Sequence, residues 1–244
     1  MRHLLFFLFC FVISLGLNAQ RYSFLSYNTS QGLPQSQVSS IAQDKEGYLW
    51  VGTLGGLAKF NGKDFHTIST ENGLLNNRIT FLALIENAIW VGHEGGISKI
   101  VNGKIVKWSL GKENKTTSVS EIVKFKGKII VSTNGGGLFE LITNKLVPIS
   151  SAGKNSLSVG SAKSTNLTIT NEDDLRIRDL YVDNNTLYLG TRGGLIKTSD
   201  LKSFQRVKKL DLYNVSGITK YNNSFFITTF KEGLLQYSIS NQSL

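Results

Sequence analysis

An all-β protein is the expectation for this chain of 244 residues. Glycine is abundant and proline scarce, 24 against 2, which points to many tight turns and away from Pro-rich linkers. Short apolar runs bounded by Gly, Asn and Asp follow one another at regular spacing, the mark of successive short strands. One such group of runs recurs about every forty residues, so a repeat defines the architecture. A 41% hydrophobic content and a single cysteine fit a globular chain with a core of its own and no disulfide framework.

The first element is not part of the fold. Arg2 and His3 precede an apolar run from Leu4 to Leu17, with Asn18-Ala19-Gln20 following. At 14 residues the run is shorter than the roughly 20 that span a bilayer, so residues 1–19 read as a secretory signal peptide. Cys10 lies inside that run, and the exported chain keeps no cysteine. A periplasmic or secreted location follows. The net charge of +10 is spread along the sequence without a run of five like charges, which favours solvated lysines over a polyanion-binding tract, and export makes nucleic acid an unfitting partner.

The repeat begins with Val38 to Gly62 and its centre is Leu49-Trp50-Val51-Gly52-Thr53. Further copies centre on Trp90, Ile130, Tyr188 and Phe226, spaced 40, 40, 58 and 38 residues apart. The long third interval marks an insertion at about 150–174, rich in Ser, Asn and Thr. In the first copy four strands are expected near 37–43, 48–53, 56–61 and 64–69, with turns at Asp44-Lys45-Glu46-Gly47, Leu54-Gly55 and Asn61-Gly62. Four antiparallel strands per forty residues make one blade of a β-propeller. Five blade cores are expected, at about 38–69, 79–109, 119–149, 177–207 and 215–244, within a propeller covering 22–244.

Blades are covered on both faces, so their central strands should be apolar on successive positions, as in Trp50-Val51, Ile129-Ile130-Val131 and Phe225-Phe226-Ile227. The residue after each central pair is small: Gly52, Gly92, Ser132, Gly190 and Thr228. That fits close convergence of backbones. Phe24 stands before Gly32 as Phe65 stands before Gly73, so residues 22–28 are expected to be an outer strand with no inner strands ahead of it. The last copy ends after its third strand, and such a terminal strand commonly completes the last blade.

The residues Gly32-Leu33-Pro34, Val38, Ile41, Asp44, Gly47, Leu49-Trp50-Val51-Gly52-Thr53, Gly56-Leu57, Phe60, Gly62 and Phe65 closely resemble the two-component regulator propeller repeat. The resemblance is long in the first copy, good in the second and weaker in the other three. It implies the periplasmic sensor region of hybrid histidine kinases and related regulators, typically of Bacteroidota. In that family the propellers usually have seven blades and are followed by a β-sandwich, a membrane helix and signalling domains. About five blades are present here.

Propellers usually bind ligands where loops of successive blades meet. On the repeat, those positions are Arg78, His93, Glu94, Asn134, Arg192, Phe230 and Lys231, the candidate ligand-binding rim. The arginines and Lys231 suit a carboxylate or sulfate, and Phe230 suits a sugar face. Trp50 and Trp90 occupy the framework position of Ile130, Tyr188 and Phe226 and belong to the core. No HExxH, cysteine pair, G-x-S-x-G elbow or Walker loop occurs, so no metal or cofactor is expected and no catalytic residue is assigned. His93-Glu94 is the one adjacent pair suited to proton transfer. The expected function is ligand sensing, of a small molecule or oligosaccharide, with sensor kinase or regulator parts elsewhere. The alternatives are a stand-alone secreted propeller that binds carbohydrate, a lyase or hydrolase, and a scaffold for protein interaction.

Overall fold

The computed structural model describes residues 24–149, 176–211, 213–240 and 243–244. The expected signal peptide and the insertion at 150–174 lie outside them. The described residues form an all-β fold of small antiparallel sheets, each a meander in chain order. Blade one comprises β1 (Val38–Gln43), β2 (Leu49–Thr53), β3 (Gly56–Phe60) and β4 (Phe65–Ile68). Blade two comprises β5 (Ile79–Ile85), β6 (Ala88–His93), β7 (Gly96–Val101) and β8 (Lys104–Ser109). Blade three has β9 (Val119–Phe125), β10 (Lys128–Thr133), β11 (Gly137–Ile142) and β12 (Lys145–Pro148). Blade four has β13 (Ile177–Asp183), β14 (Thr186–Thr191), β15 (Gly194–Thr198) and β16 (Gln205–Asp211), its last strand running past the expected 207. Blade five is a three-stranded sheet of β17 (Val215–Tyr221), β18 (Ser224–Thr229) and β19 (Leu234–Ser238).

The second strand is covered on both faces in blades one to four; in blade five Phe225 and Ile227 are buried against blade four, while Phe226 is half-buried and Thr228 exposed, which corrects the expectation of a doubly covered Phe225-Phe226-Ile227. Trp90 packs with Ile122, Val131 and Phe139 of blade three, while its neighbour Val91 packs with Leu57 and Trp50 of blade one. Successive apolar residues are therefore demanded by the stacking of blades. The small residue that follows is demanded by the same contact. A Cβ on Gly52 would stand 2.7 Å from Ile79 Cγ2, one on Gly92 would stand 2.8 Å from Val119 Cγ1, and one on Gly190 would stand 2.8 Å from Val215 Cγ1.

Each inner strand carries a bulge at the same place, skipping Ser39, Thr80, Ser120, Arg178 and Ser216. The bulge turns the extra side chain toward the next blade. Ser39 Oγ donates to the Ile79 carbonyl at 2.8 Å, Thr80 Oγ1 to Val119 at 2.7 Å and Ser120 Oγ to Ile177 at 2.6 Å.

Inner strands pack in succession, β1 on β5, β5 on β9, β9 on β13 and β13 on β17. β17 does not pack on β1 in that way, so the five blades form an open arc. Ile41 is 62% exposed where its counterpart Leu82 is buried by blade one, and Leu234 is 64% exposed where Leu57, Ile97, Leu138 and Leu195 are buried by the following blade.

The expected outer strand at 22–28 is corrected in part. Residues 24–28 carry no strand, and Phe24 and Leu25 are exposed. Tyr27 nevertheless packs edge-on against Phe60 and Phe65, at 5.1 and 5.7 Å between ring centroids. The segment lies where an outer strand would, without inner strands to pair with. A 3-10 turn (Thr29–Gln31) follows, capped by Asn28, and the same capped turn recurs at Thr70–Asn72 before blade two. The Asn61-Gly62 hairpin is looser than expected. Asn61 Oδ1 accepts from the N–H groups of Lys63 and Asp64, so the loop runs four residues between β3 and β4.

Candidate functional site

One end of the arc is built from the residues that follow the second strands. Each donates its backbone N–H to the carbonyl just ahead of the inner strand of its own blade: Glu94 to Arg78 at 3.3 Å, Asn134 to Ser118 at 3.0 Å, Arg192 to Arg176 at 3.3 Å and Phe230 to Asn214 at 3.1 Å. Isolated bridges join Glu94 to Ser118 and Asn134 to Arg176, from one blade to the next. Arg78, Glu94, Asn134, Arg192 and Phe230 thus fall in a row, blade by blade. Lys231 is exposed beside Phe230.

His93 is not part of that row. It is fully buried at the end of β6, with its Nε2 2.8 Å from Ser98 Oγ and its Nδ1 without a hydrogen-bond partner. Its position belongs to the framework. Thr53, Thr133, Thr191 and Thr229 hold it in the other blades, and their hydroxyls donate to the carbonyls of Gly56, Gly137, Gly194 and Gly233 at 2.8, 2.8, 2.9 and 3.0 Å. Burial holds the His93 imidazole pKa down to about 4, outweighing the Asn76 backbone, which acts in the opposite direction. Glu94 points elsewhere. Its carboxylate pairs with Arg78 Nε at 3.9 Å, and its carbonyl accepts from Asn76 Nδ2 at 3.2 Å. The adjacent pair therefore forms no proton-transfer dyad in this structure, because alternation along the chain sends one side chain inward and the other to the rim.

Two features escaped the sequence reading. Arg178 occupies the bulge position that is Ser or Thr in every other blade. Its guanidinium lies 4.0 Å from the Phe230 ring centroid. Glu121 and Asp179 hold equivalent positions in blades three and four. The Glu121 carboxyl accepts from the Leu180 N–H and that of Asp179 from the Ile218 N–H, as Ser40 Oγ accepts from Leu82 at 3.0 Å. Burial first, and then the neighbouring Asp179, push the Glu121 carboxyl up to about 9, so it holds a proton at neutral pH. The signal for Arg178 was in the repeat itself, as the one non-hydroxyl residue at its position. No local pattern marks the Glu121–Asp179 approach, which depends on how two blades stack.

The stacked four-stranded meanders define a β-propeller. Solved propellers share the fold: an extracellular domain assigned to a hybrid two component system, BT4673 of B. thetaiotaomicron, superposes with a TM-score of 0.62 at 20% identity, over 89% of this chain and 28% of that one. Virginiamycin B lyase from Staphylococcus aureus superposes with a TM-score of 0.58 at 12% identity, over 83% of this chain and 70% of that one. The family model described as the two component regulator propeller matches residues 32–55, within the first copy of the repeat. A stretch of 59 residues, 24% of this chain, is 49% identical to Histidine kinase P4 of Formosa agariphila and spans 4% of that protein.

Proposed function

We propose that this propeller is the ligand-sensing part of a two-component regulatory system, acting outside the cytoplasm and coupled to sensor kinase or regulator parts. The observation that carries the reading is the repeat, together with its likeness to a histidine kinase and to an extracellular two-component domain. The Leu4–Leu17 run read as a signal peptide supports export. Among the described residues no helix is long and apolar enough to cross a membrane.

Binding rather than catalysis is the role proposed for the rim. Its framework is the same in each blade, while Glu94, Asn134, Arg192 and Phe230 differ in chemistry, as in a scaffold that carries a site. A small molecule or oligosaccharide bridging several blades would favour one arrangement of the arc over another, and the coupled parts would report it. His93 and Glu94 face different surroundings, which weighs against that pair as the seat of a lyase or hydrolase activity.

A thermal-shift screen of the purified chain against saccharides and small metabolites tests this. Each stabilising compound is then offered to the source bacterium with and without the gene, and transcription is followed. The expected result is a compound whose transcriptional response disappears on deletion. A response that survives deletion, or a stabilising compound that is chemically converted by the protein, overturns the reading.

A further inference from the structure

We infer that the seam between blades four and five is a binding site for a small oxyanion, a carboxylate or sulfate group, gripped by Arg178 beside Phe230. The inference rests on the reading of the rim as a binding face and supplies its ligand chemistry.

The first observation is a departure from the framework. Ser39, Thr80 and Ser120 each tie their blade to the next by donating to the first carbonyl of its inner strand. Arg178 stands where the fourth such hydroxyl belongs. Ser and Thr suffice for the tie, so a long cation at this seam calls for a purpose other than joining blades. Four of the five arginines among the described residues, Arg176, Arg178, Arg192 and Arg206, lie on blade four.

The second observation is that the cation is poorly provided for. Arg178 Nη1 is buried and has no hydrogen-bond partner. Its guanidinium carbon lies 4.0 Å from the Phe230 ring centroid, a cation–π contact that holds the group beside an exposed aromatic face. Burial, and then the charges of Arg192 and Arg176, lower its pKa. An oxyanion against the Arg178 guanidinium would favour its charged form and accept bidentate N–H···O bonds from it. Phe230 remains 64% exposed, so the skeleton that carries the anion finds apolar surface.

The test is isothermal titration at low ionic strength, with sodium sulfate and glucuronate as oxyanion probes and glucose as the neutral match of glucuronate. The chain is compared with Arg178→Ser, which installs the residue that blades one, three and five carry there. The expected result is binding of at least one oxyanion and none of glucose, with affinity falling at least tenfold in Arg178→Ser. The variant should unfold at the same temperature as the parent or a higher one, since the hydroxyl restores the tie to Val215. Sulfate and glucuronate separate a bare-anion site from one that needs a carboxylate on a skeleton. Binding unchanged in Arg178→Ser, equal binding of glucose, no oxyanion binding at all, or a variant that unfolds earlier than the parent each overturns the inference. Failure of the oxyanion titrations beside a neutral compound that passes the transcription test would remove this site and leave the sensing role. Oxyanion binding lost in Arg178→Ser, without any gene-dependent response, would keep the site and remove the sensing role.

Discussion

At the position where four threonine hydroxyls bond a glycine carbonyl, blade two carries His93, and this one side chain gives the fold a dependence on acid. Its folded pKa of about 4 lies below the ordinary value of 6.5, so the unfolded chain takes up the proton first. Stability contributed by neutral His93 is complete above pH 6.5 and is lost as pH falls toward 4. The full difference is about 3 kcal/mol. In His93→Thr the loss of melting temperature between pH 7 and pH 4 should be smaller than in the parent, because a threonine hydroxyl there can bond the Gly96 carbonyl as its counterparts in the other blades do. Equal losses in the two proteins, measured by circular dichroism melts across that range, would refute the assignment of a neutral buried imidazole.

Strands and their junctions follow rules that repeat from blade to blade. The second strand must be apolar on both faces and must then present a small residue, because the next inner strand crosses at that point. Gly92 meets Val119 there, and Gly92→Ala would place a methyl 2.8 Å from Val119 Cγ1 and 3.1 Å from Phe81 Cβ. We expect this variant to lose about 1–3 kcal/mol in urea unfolding, the usual cost of forcing a methyl into a packed contact. Unchanged stability would mean that blades two and three separate easily at this junction. The central strands and glycine turns were legible in the sequence since their causes are local and recur. The absence of a strand at 24–28 was not, because a strand needs a partner and its own sequence does not reveal whether one is there.

The arc as a whole has two unlike apolar ends. Val38 and Ile41 face outward at one end, and Leu234 does so at the other, in positions that the interior seams bury. Within the arc, Leu57 of one blade packs with Ile79 and Leu82 of the next, and the two free ends repeat those two surfaces. The purified chain should therefore associate end to end with a second copy, raising the sedimentation coefficient with concentration. Ile41→Asp should suppress that association, since a carboxylate at the seam would be buried without a partner. A single species at every concentration, with or without the substitution, would show that the ends are covered in another way.

The sequence by itself determined the all-β repeat, the blade centres, the two-sided burial of the second strands in blades one to four and the row of residues after them. These follow from periodicity and from turn chemistry within some forty residues, where cause and effect are neighbours in the chain. Tertiary structure decided the rest. It turned His93 into the core, paired Glu94 with Arg78, brought the Glu121 carboxyl to Asp179, and placed Arg178 over Phe230, some fifty residues further on. Each of these contacts crosses from one strand or blade to another. Side-chain direction and charge proximity there are set by how strands register and sheets stack, which no stretch of sequence encodes alone.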